Sequence, residues 1–163
     1  AATCPHRYSA TGAKLALYYL ETSALVKLYV REPGTDRLLQ LTRNSSDNRF
    51  AVLAISIVEA RSAIRRRERA RDINPQAAAL VLDRLQQHVV TRFLRQPLND
   101  AVLDAALELV DRYALRAYDA VQLAGCLVLK TAMGMDYPTF VCADQQLIEA
   151  ARSELLPTLD PSD

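Results

Sequence analysis

Short, continuously apolar stretches alternate along this chain with segments in which apolar residues recur every three to four positions. A strand that is covered on both faces is apolar at every position, so the first pattern predicts buried strands at residues 15–20, 50–55 and 139–143. The second pattern predicts amphipathic helices, which begin near residues 22, 35, 56, 75, 100, 117 and 145. The alternation is typical of an α/β fold with a central, mostly parallel sheet flanked by helices on both sides.

The chain reads as one domain, because it contains no internal repeat, low-complexity tract or linker. At 163 residues it is long enough to bury a core without disulfides. We expect a flexible extension over residues 1–13, a domain over residues 14–157 and a short tail over residues 158–163.

The amino-acid composition narrows the possible functions only slightly. The net charge is only +1, yet 17 of the 20 basic residues are arginine, whose planar fork suits phosphate and carboxylate groups. The three cysteines follow no metal or redox spacing, which favours a reducing, cytoplasmic location. No apolar run approaches the roughly 20 residues of a membrane span, so we expect no membrane partner.

Four carboxylates stand at predicted helix entrances. Glu21 and Asp144 follow predicted strands, while Glu59 and Asp119 fall in the first turns of predicted helices. Each could be an ordinary helix-end residue, since such acids contribute about 0.3–1 kcal/mol through the helix dipole. Ser56 and Glu59 also fit a capping box, with Ser56 as N-cap.

The alternative is a shared site, because all four acids are embedded in apolar sequence and the carboxyl ends of strands meet at one edge of a sheet. Gathered carboxylates would repel one another by roughly 4 kcal/mol per close pair at an effective dielectric constant of 20. Such a cluster needs a cation, and oxygen-only ligands favour Mg²⁺ or Mn²⁺ over Zn²⁺. Ser23 and Ser56 could orient the carboxylates or serve only as helix caps.

Four segments around these acids resemble the motifs of PIN-domain ribonucleases, and in particular of the VapC-type toxins of type II toxin–antitoxin pairs. The segments are LYYLETSALVKLYVREPG, ISIVEARSAI, LRAYDAVQLA and FVCADQQLIEAA, and the resemblance covers about residues 16–153. It implies a three-layer α/β/α PIN-like fold and a divalent-metal-dependent endoribonuclease that uses Mg²⁺, with Mn²⁺ as the alternative. It also implies an RNA substrate, a VapB-like antitoxin as partner and a homodimer.

Carried over to this chain, the resemblance implies that Glu21, Glu59, Asp119 and Asp144 are catalytic. Glu21, Asp119 and Asp144 would hold the metal, supported by the hydroxyls of Thr22, Ser23 and Ser56. One position departs from the family, because the first acid is normally Asp and here is Glu21. The extra methylene moves the carboxylate by about 1.5 Å, so a catalytically weakened PIN-like module that mainly binds RNA or an antitoxin-like partner stays open as an alternative.

A basic segment, RSAIRRRERAR, carries six arginines over residues 61–71, just after Glu59. It could be a solvated helix face, a contact for RNA phosphates or a docking face for an acidic partner. We expect Arg61 and Arg65, which are nearest to the acids in the chain, to contact RNA. Arg116, near Asp119, is a third candidate.

Overall fold

The fold was analysed in a computed structural model that describes residues 16–43, 48–134 and 138–163. The predicted extension over residues 1–13 lies outside the described residues. The strands are β1 (Leu17–Leu20), β2 (Arg49–Leu53), β3 (Phe93–Gln96), β4 (Thr139–Val141) and β5 (Thr158–Leu159). The helices are α1 (Thr22–Lys27), α2 (Thr35–Arg43), α3 (Ala54–Arg69), α4 (Pro75–Thr91), α5 (Asp100–Arg112), α6 (Ala117–Met133) and α7 (Gln145–Ser153).

The five strands form one parallel sheet in the order β3-β2-β1-β4-β5, so β1 is central. Its side chains alternate between two cores: Tyr19 packs with residues of α5, α6 and α7, and Leu20 packs with residues of α1 to α4. The predicted three-layer α/β/α fold is confirmed. In the described part of the chain, no helix is long and apolar enough to cross a membrane.

Two strands were not expected from the sequence, and both lie at the sheet edges. Strand β3 has the sequence FLRQ, in which Arg95 is exposed, and it pairs with β2. Strand β5 lies in the segment expected to be a tail, where Thr158 pairs with Phe140 of β4. Edge strands are buried on fewer sides, so they lack the continuous apolar run that revealed β1, β2 and β4.

The predicted capping box at Ser56 is wrong. Helix α3 begins at Ala54, and its N-cap is Leu53, which makes no side-chain capping bond. Ser56 is therefore already inside the helix, where it is fully buried, and Glu59 lies in the second turn. Strand β2 passes directly into α3 without a turn, so an apolar sequence runs across the boundary and hides it.

Candidate active site

Two of the four acids lie at the carboxyl ends of neighbouring parallel strands. Glu21 follows β1 directly and is the N-cap of α1; its carboxylate accepts hydrogen bonds from the backbone N–H and the hydroxyl of Ser23, at 2.8 and 2.5 Å. Asp144 follows β4 and is the N-cap of α7, as predicted, accepting from the backbone N–H of Leu147 at 2.9 Å. The backbone N–H of Glu21 donates to the carbonyl of Val141, which ties the two strand ends together.

Glu59 is held by a hydrogen-bond network that joins three helices. The Thr22 hydroxyl donates to its Oε2 at 2.5 Å, and Nε2 of Gln122 donates to the same oxygen at 3.0 Å. Gln122 Nε2 also lies 2.8 Å from the Thr22 and Ser56 hydroxyl oxygens, and Ser56 donates back to Gln122 Oε1 at 3.2 Å. The predicted supporting residues Thr22 and Ser56 thus both contact Gln122, and Thr22 also contacts Glu59.

Gln122 is the residue of this network that sequence reasoning missed. Its side chain is almost fully buried. The available signal was a single amide in the apolar stretch AYDAVQLA, three positions after Asp119 and so on the same side of α6. The amide belongs to the polar network at the candidate site rather than to the hydrophobic core that surrounds it.

Each of three carboxylates uses one oxygen for these protein contacts. The described hydrogen bonds engage Oε2 of Glu21, Oε2 of Glu59 and Oδ1 of Asp144. The second oxygen of each accepts no hydrogen bond from any described residue. The protein therefore orients these groups and leaves one oxygen of each for a ligand.

The negative charges of these acids affect one another's pKa values. Burial raises the pKa of Glu21, hydrogen bonds from Ser23 lower it, and the charges of Glu59 and Asp119 raise it further. Burial likewise raises the pKa of Asp119, and the charge of Asp144 adds to the effect. Glu59 and Asp119 thus act on Glu21, and Asp144 acts on Asp119, which links the four predicted acids pairwise.

The thiol of Cys142, between β4 and Asp144, responds to the same negative region. Burial raises its pKa to about 12, and the charges of Glu21, Asp144 and Asp119 contribute. Like-charged groups held this way are costly unless a cation compensates them.

The four acids offer only carboxylate oxygens, the donors that a hard divalent ion prefers. No Lys or Arg within residues 16–43, 48–134 and 138–163 forms an ion pair with any of the four acids. Within the same residues, no three Asp, Glu, His or Cys side chains are grouped closely enough to form a ready-made metal cluster. Oxygen donors that form no ion pair with these cations fit a hard divalent ion, whose attraction would draw the carboxylates together.

A cavity of about 750 Å³ opens beside Glu21 and Glu59 and follows one face of α3. Arg66 and Arg67 line it further along that helix, and Tyr118 of α6 lines it next to the acids. Tyr118 is 60% exposed, so its ring is available to a ligand. Arg67 forms an ion pair within the protein, whereas the only described hydrogen bond of the Arg66 side chain goes to Ser62, at 3.3 Å.

The arginines chosen from the sequence are placed differently. Neither Arg61 nor Arg65 is among the residues that line the cavity, and Arg65 forms an ion pair with Glu68 at 2.6 Å. Arg116 is the N-cap residue of α6, and its charge lowers the pKa of Asp119. The spacing along α3 explains the difference, because residues 59, 62, 66 and 70 recur on one face of the helix.

Comparisons with known proteins agree with the fold. The family model described as PIN domain matches residues 18–152, a range that includes all four acids. Among solved structures, FitAcB from Neisseria gonorrhoeae is similar with a TM-score of 0.60 and 17% identity, over 89% of this chain and 97% of that chain. PAE2754 from Pyrobaculum aerophilum gives a TM-score of 0.55 and 23% identity, over 86% of this chain and 83% of that chain.

A third similar structure is VapBC2 from Rickettsia felis bound to a DNA fragment from their promoter. Its TM-score is 0.57 and its identity 14%, over 88% of this chain and 97% of that chain. The comparison with curated protein sequences gives no match. The structural likenesses show the fold, and the family model spans most of the sequence. The chain belongs to the PIN domain family.

Proposed function

We propose that the protein is a divalent-metal-dependent endoribonuclease and the toxin of a toxin–antitoxin pair. Membership of the PIN domain family supports a nuclease that hydrolyses phosphodiester bonds. The observation that supports the proposal is that the charges of Glu59 and Asp119 raise the pKa of Glu21, and that of Asp144 raises the pKa of Asp119, while none of the four forms an ion pair with a described Lys or Arg. Acids held in this way suit a metal site better than a set of independent helix caps.

In the proposed reaction, Glu21, Asp119 and Asp144 hold Mg²⁺ or Mn²⁺. When bound, the ion would polarise the scissile phosphate and supply an activated water for in-line attack. Ser23 keeps the Glu21 carboxylate oriented through two hydrogen bonds. Gln122 and Thr22 do the same for Glu59, which then stands beside the ligands as a fixed acceptor.

The cavity along α3 supports RNA as the substrate. Arg66 faces it without an acidic partner among the described residues, so its guanidinium is free to bind a phosphate. The exposed ring of Tyr118 offers a surface on which an unpaired base can stack. Arg116, close to Asp119, is proposed as a second phosphate contact. Arg61 and Arg65 are less suited to this role because they lie outside the cavity lining.

We further propose a VapB-like antitoxin and a homodimer, both in the cytoplasm. The Rickettsia felis structure is of VapBC2 bound to a DNA fragment from their promoter, which supports an antitoxin partner for this chain by analogy. A homodimer is supported by an apolar stripe on one face of α5, made by Leu103, Leu107 and Val110, which are 44%, 66% and 43% exposed. Leu107→Glu should shift the sedimentation of a dimer towards that of the monomer.

The decisive experiment compares RNA cleavage with Mg²⁺ or Mn²⁺ and with EDTA, in the wild type and in Asp119→Asn. We expect EDTA to abolish cleavage and Asp119→Asn to reduce it by at least about a hundredfold, because ligand geometry controls the rate. The matched control is Asp100→Asn, which removes an acid from the first turn of α5, outside the four motif segments. Both variants should fold, since a helix-end acid contributes only about 0.3–1 kcal/mol. Full activity in Asp119→Asn or in EDTA would refute the assignment.

The second candidate is a catalytically weakened PIN-like module that mainly binds RNA or an antitoxin-like partner. Glu21, longer by a methylene than the Asp usual in the family, favours it. RNA binding that persists in EDTA without any cleavage in Mg²⁺ or Mn²⁺ would support this candidate over the enzyme.

A further inference from the structure

A second cavity, of about 850 Å³, lies away from the acids. Asn48 and Phe50 at the start of β2 and Phe93 at the start of β3 line it, together with residues from the ends of α2 and α4. Because the strands are parallel, this is the amino edge of the sheet, opposite to the carboxyl edge where Glu21 and Asp144 lie. The cavity is therefore separate from the candidate active site.

Three arginines, Arg43, Arg84 and Arg92, line this second cavity, and no described acidic residue does. None of the three takes part in the ion pairs formed within the described part of the chain, which use other cations. Guanidinium groups that share a concave site repel one another unless an anion joins them. The charge of the cavity thus favours a negatively charged ligand.

One wall of this cavity carries the imidazole of His88, whose Nδ1 lies 2.9 Å from the hydroxyl oxygen of Tyr29. Burial lowers the pKa of His88, and the charges of Arg92 and Arg84 lower it further. Both guanidinium groups therefore act on the same wall, and their positive potential adds up where His88 faces the cavity. The ring of His88 meets Phe93 edge-on, with centroids 6.2 Å apart.

The rest of the lining divides into an apolar part and a polar part. Leu28, Leu39, Phe50 and Phe93 provide apolar surface. The hydroxyls of Thr42 and Thr91 already donate to backbone carbonyls, so the donors left for an anion are the arginines and the second N–H of the Asn48 amide. An inorganic anion would use only the polar part. A phosphate attached to a flat, apolar group would use both, because arginine binds phosphate in a forked geometry and aromatic side chains stack on bases.

We propose that the cavity between α2, α4 and the amino ends of β2 and β3 is a nucleotide-phosphate site, in which Arg84 and Arg92 bind the phosphate and Phe93 and His88 contact the base. Two sources carry this chemistry: a free nucleotide, and a nucleotide within a strand bound across the amino edge. The proposal does not depend on nuclease activity, since this cavity shares no residue with the candidate active site.

The test is a titration of the full chain with adenosine monophosphate, inorganic phosphate and adenosine, in EDTA and low salt, followed by calorimetry and by amide chemical shifts. We expect the monophosphate to bind more tightly than phosphate or adenosine and to shift the amide signals of His88 and Phe93. Arg84→Gln and Arg92→Gln should each weaken binding by about tenfold or more, since each removes a charge-assisted hydrogen bond. Arg69→Gln, on the exposed end of α3, is the matched control and should bind as the wild type does.

A short 2′-O-methyl oligonucleotide, which cannot be cleaved, distinguishes the two sources. If the oligonucleotide displaces the monophosphate and Arg84→Gln weakens binding of the oligonucleotide, the ligand is a nucleotide within a strand. If the oligonucleotide does not displace the monophosphate, the ligand is a free nucleotide. Either result supports the site. The proposal is overturned if the monophosphate does not bind the wild type, or if both arginine variants bind it as tightly as Arg69→Gln does. Thermal unfolding of each variant checks that the fold is intact.

Discussion

The side-chain amide of Gln122 donates to Oε2 of Glu59 over 3.0 Å, at a position where Gln122 is only 2% exposed. The hydroxyl of Thr22, the first residue of α1, donates to the same oxygen. Glu59 on α3 is thus positioned by α6 and by the helix that follows the central strand. A carboxylate fixed from two sides has little freedom to adapt, so its geometry depends in part on Gln122, which does not line the cavity.

Gln122→Ala should disturb both stability and activity. It leaves the buried Ser56 hydroxyl without its partner, which we expect to lower the free energy of unfolding by about 1–3 kcal/mol. It also releases Glu59, so kcat should fall while KM for RNA changes little. Urea unfolding and steady-state cleavage measure the two effects, and Gln86→Ala on the exposed side of α4 is the control. An unchanged kcat in Gln122→Ala would show that Glu59 needs no positioning.

Glu21 and Asp119 should each lower the stability of the metal-free protein as the pH rises. Burial raises the pKa of Glu21 and of Asp119, so each folded carboxyl holds its proton more firmly than the unfolded chain does. For such an acid the stabilisation is complete below the ordinary carboxyl pKa of about 4 and is lost as the pH rises through the raised value. Denaturant unfolding in EDTA from about pH 4 to pH 8 measures this slope.

The variant Glu21→Gln isolates the contribution of Glu21 to the pH dependence of the unfolding free energy. The amide oxygen can still accept from Ser23, but it cannot ionise, so the decline of stability with pH should become shallower and the variant should exceed the wild type in stability at neutral pH. Added Mg²⁺ should stabilise the wild type at pH 7 more than this variant. Parallel pH profiles for the two proteins would contradict the assignment.

Shortening Glu21 should increase activity. The extra methylene displaces the carboxylate by about 1.5 Å relative to Asp, and a misplacement of about 1 Å costs on the order of a hundredfold in rate. Asp is also a good N-cap, so Glu21→Asp keeps the start of α1 intact. We expect metal-dependent cleavage to rise by up to about a hundredfold. Glu59→Asp, which shortens an acid already held by two donors, should lower it; equal or lower activity in Glu21→Asp means that Glu21 is not mispositioned.

Arg66→Ala should weaken RNA binding, while Arg61→Ala should not. Both side chains are exposed arginines on α3, but only Arg66 lines the cavity beside the acids. Losing one phosphate contact should raise KM by about tenfold and reduce the salt dependence of log K by about one unit. Binding measured over a series of salt concentrations tests both effects. Equal salt slopes for the two variants would remove Arg66 from the proposed RNA path.

The sequence revealed those parts of the fold and site whose physical signal is local. Glu21 and Asp144 could be placed because uninterrupted apolar runs mark the ends of β1 and β4. The start of α3 could not, because an apolar stretch crosses from strand to helix at Leu53 and periodicity alone does not locate such a boundary. Strand β3 was not predicted because an exposed residue, Arg95, interrupts its apolar pattern.

Contacts made across the fold carry no such local signal. Gln122 is a single amide within an apolar helix, and its partners Glu59 and Ser56 are more than 60 residues away in the chain. Arg66 and Arg61 differ only in which side of α3 they occupy relative to α1, which depends on how the helices pack. The spacing of residues in the sequence shows which arginines share a face of α3. Only the packed structure shows which of these faces lines the cavity.

The hydroxyl of Tyr19 has no described hydrogen-bond partner although its side chain is fully buried. It packs against Gly125 of α6 so closely that a Cβ at residue 125 would lie 2.3 Å from the hydroxyl oxygen. Tyr19→Phe removes the unsatisfied group and should raise the free energy of unfolding by about 1 kcal/mol. Gly125→Ala should lower it by about 1–3 kcal/mol, because overpacking forces β1 and α6 apart.

The two substitutions should not be additive, because the atom that the alanine methyl meets first is the one that Tyr19→Phe deletes. We expect the double variant to regain part of the stability lost in Gly125→Ala, with an interaction energy of about 0.5–3 kcal/mol. Recovery should be incomplete, since the methyl would also lie 2.8 Å from Cδ1 of Leu53. A double-mutant cycle by urea unfolding measures this coupling. Strict additivity would mean that the Tyr19 hydroxyl and Gly125 are not in contact, and that β1, which leads into Glu21, is not held against α6 at this point.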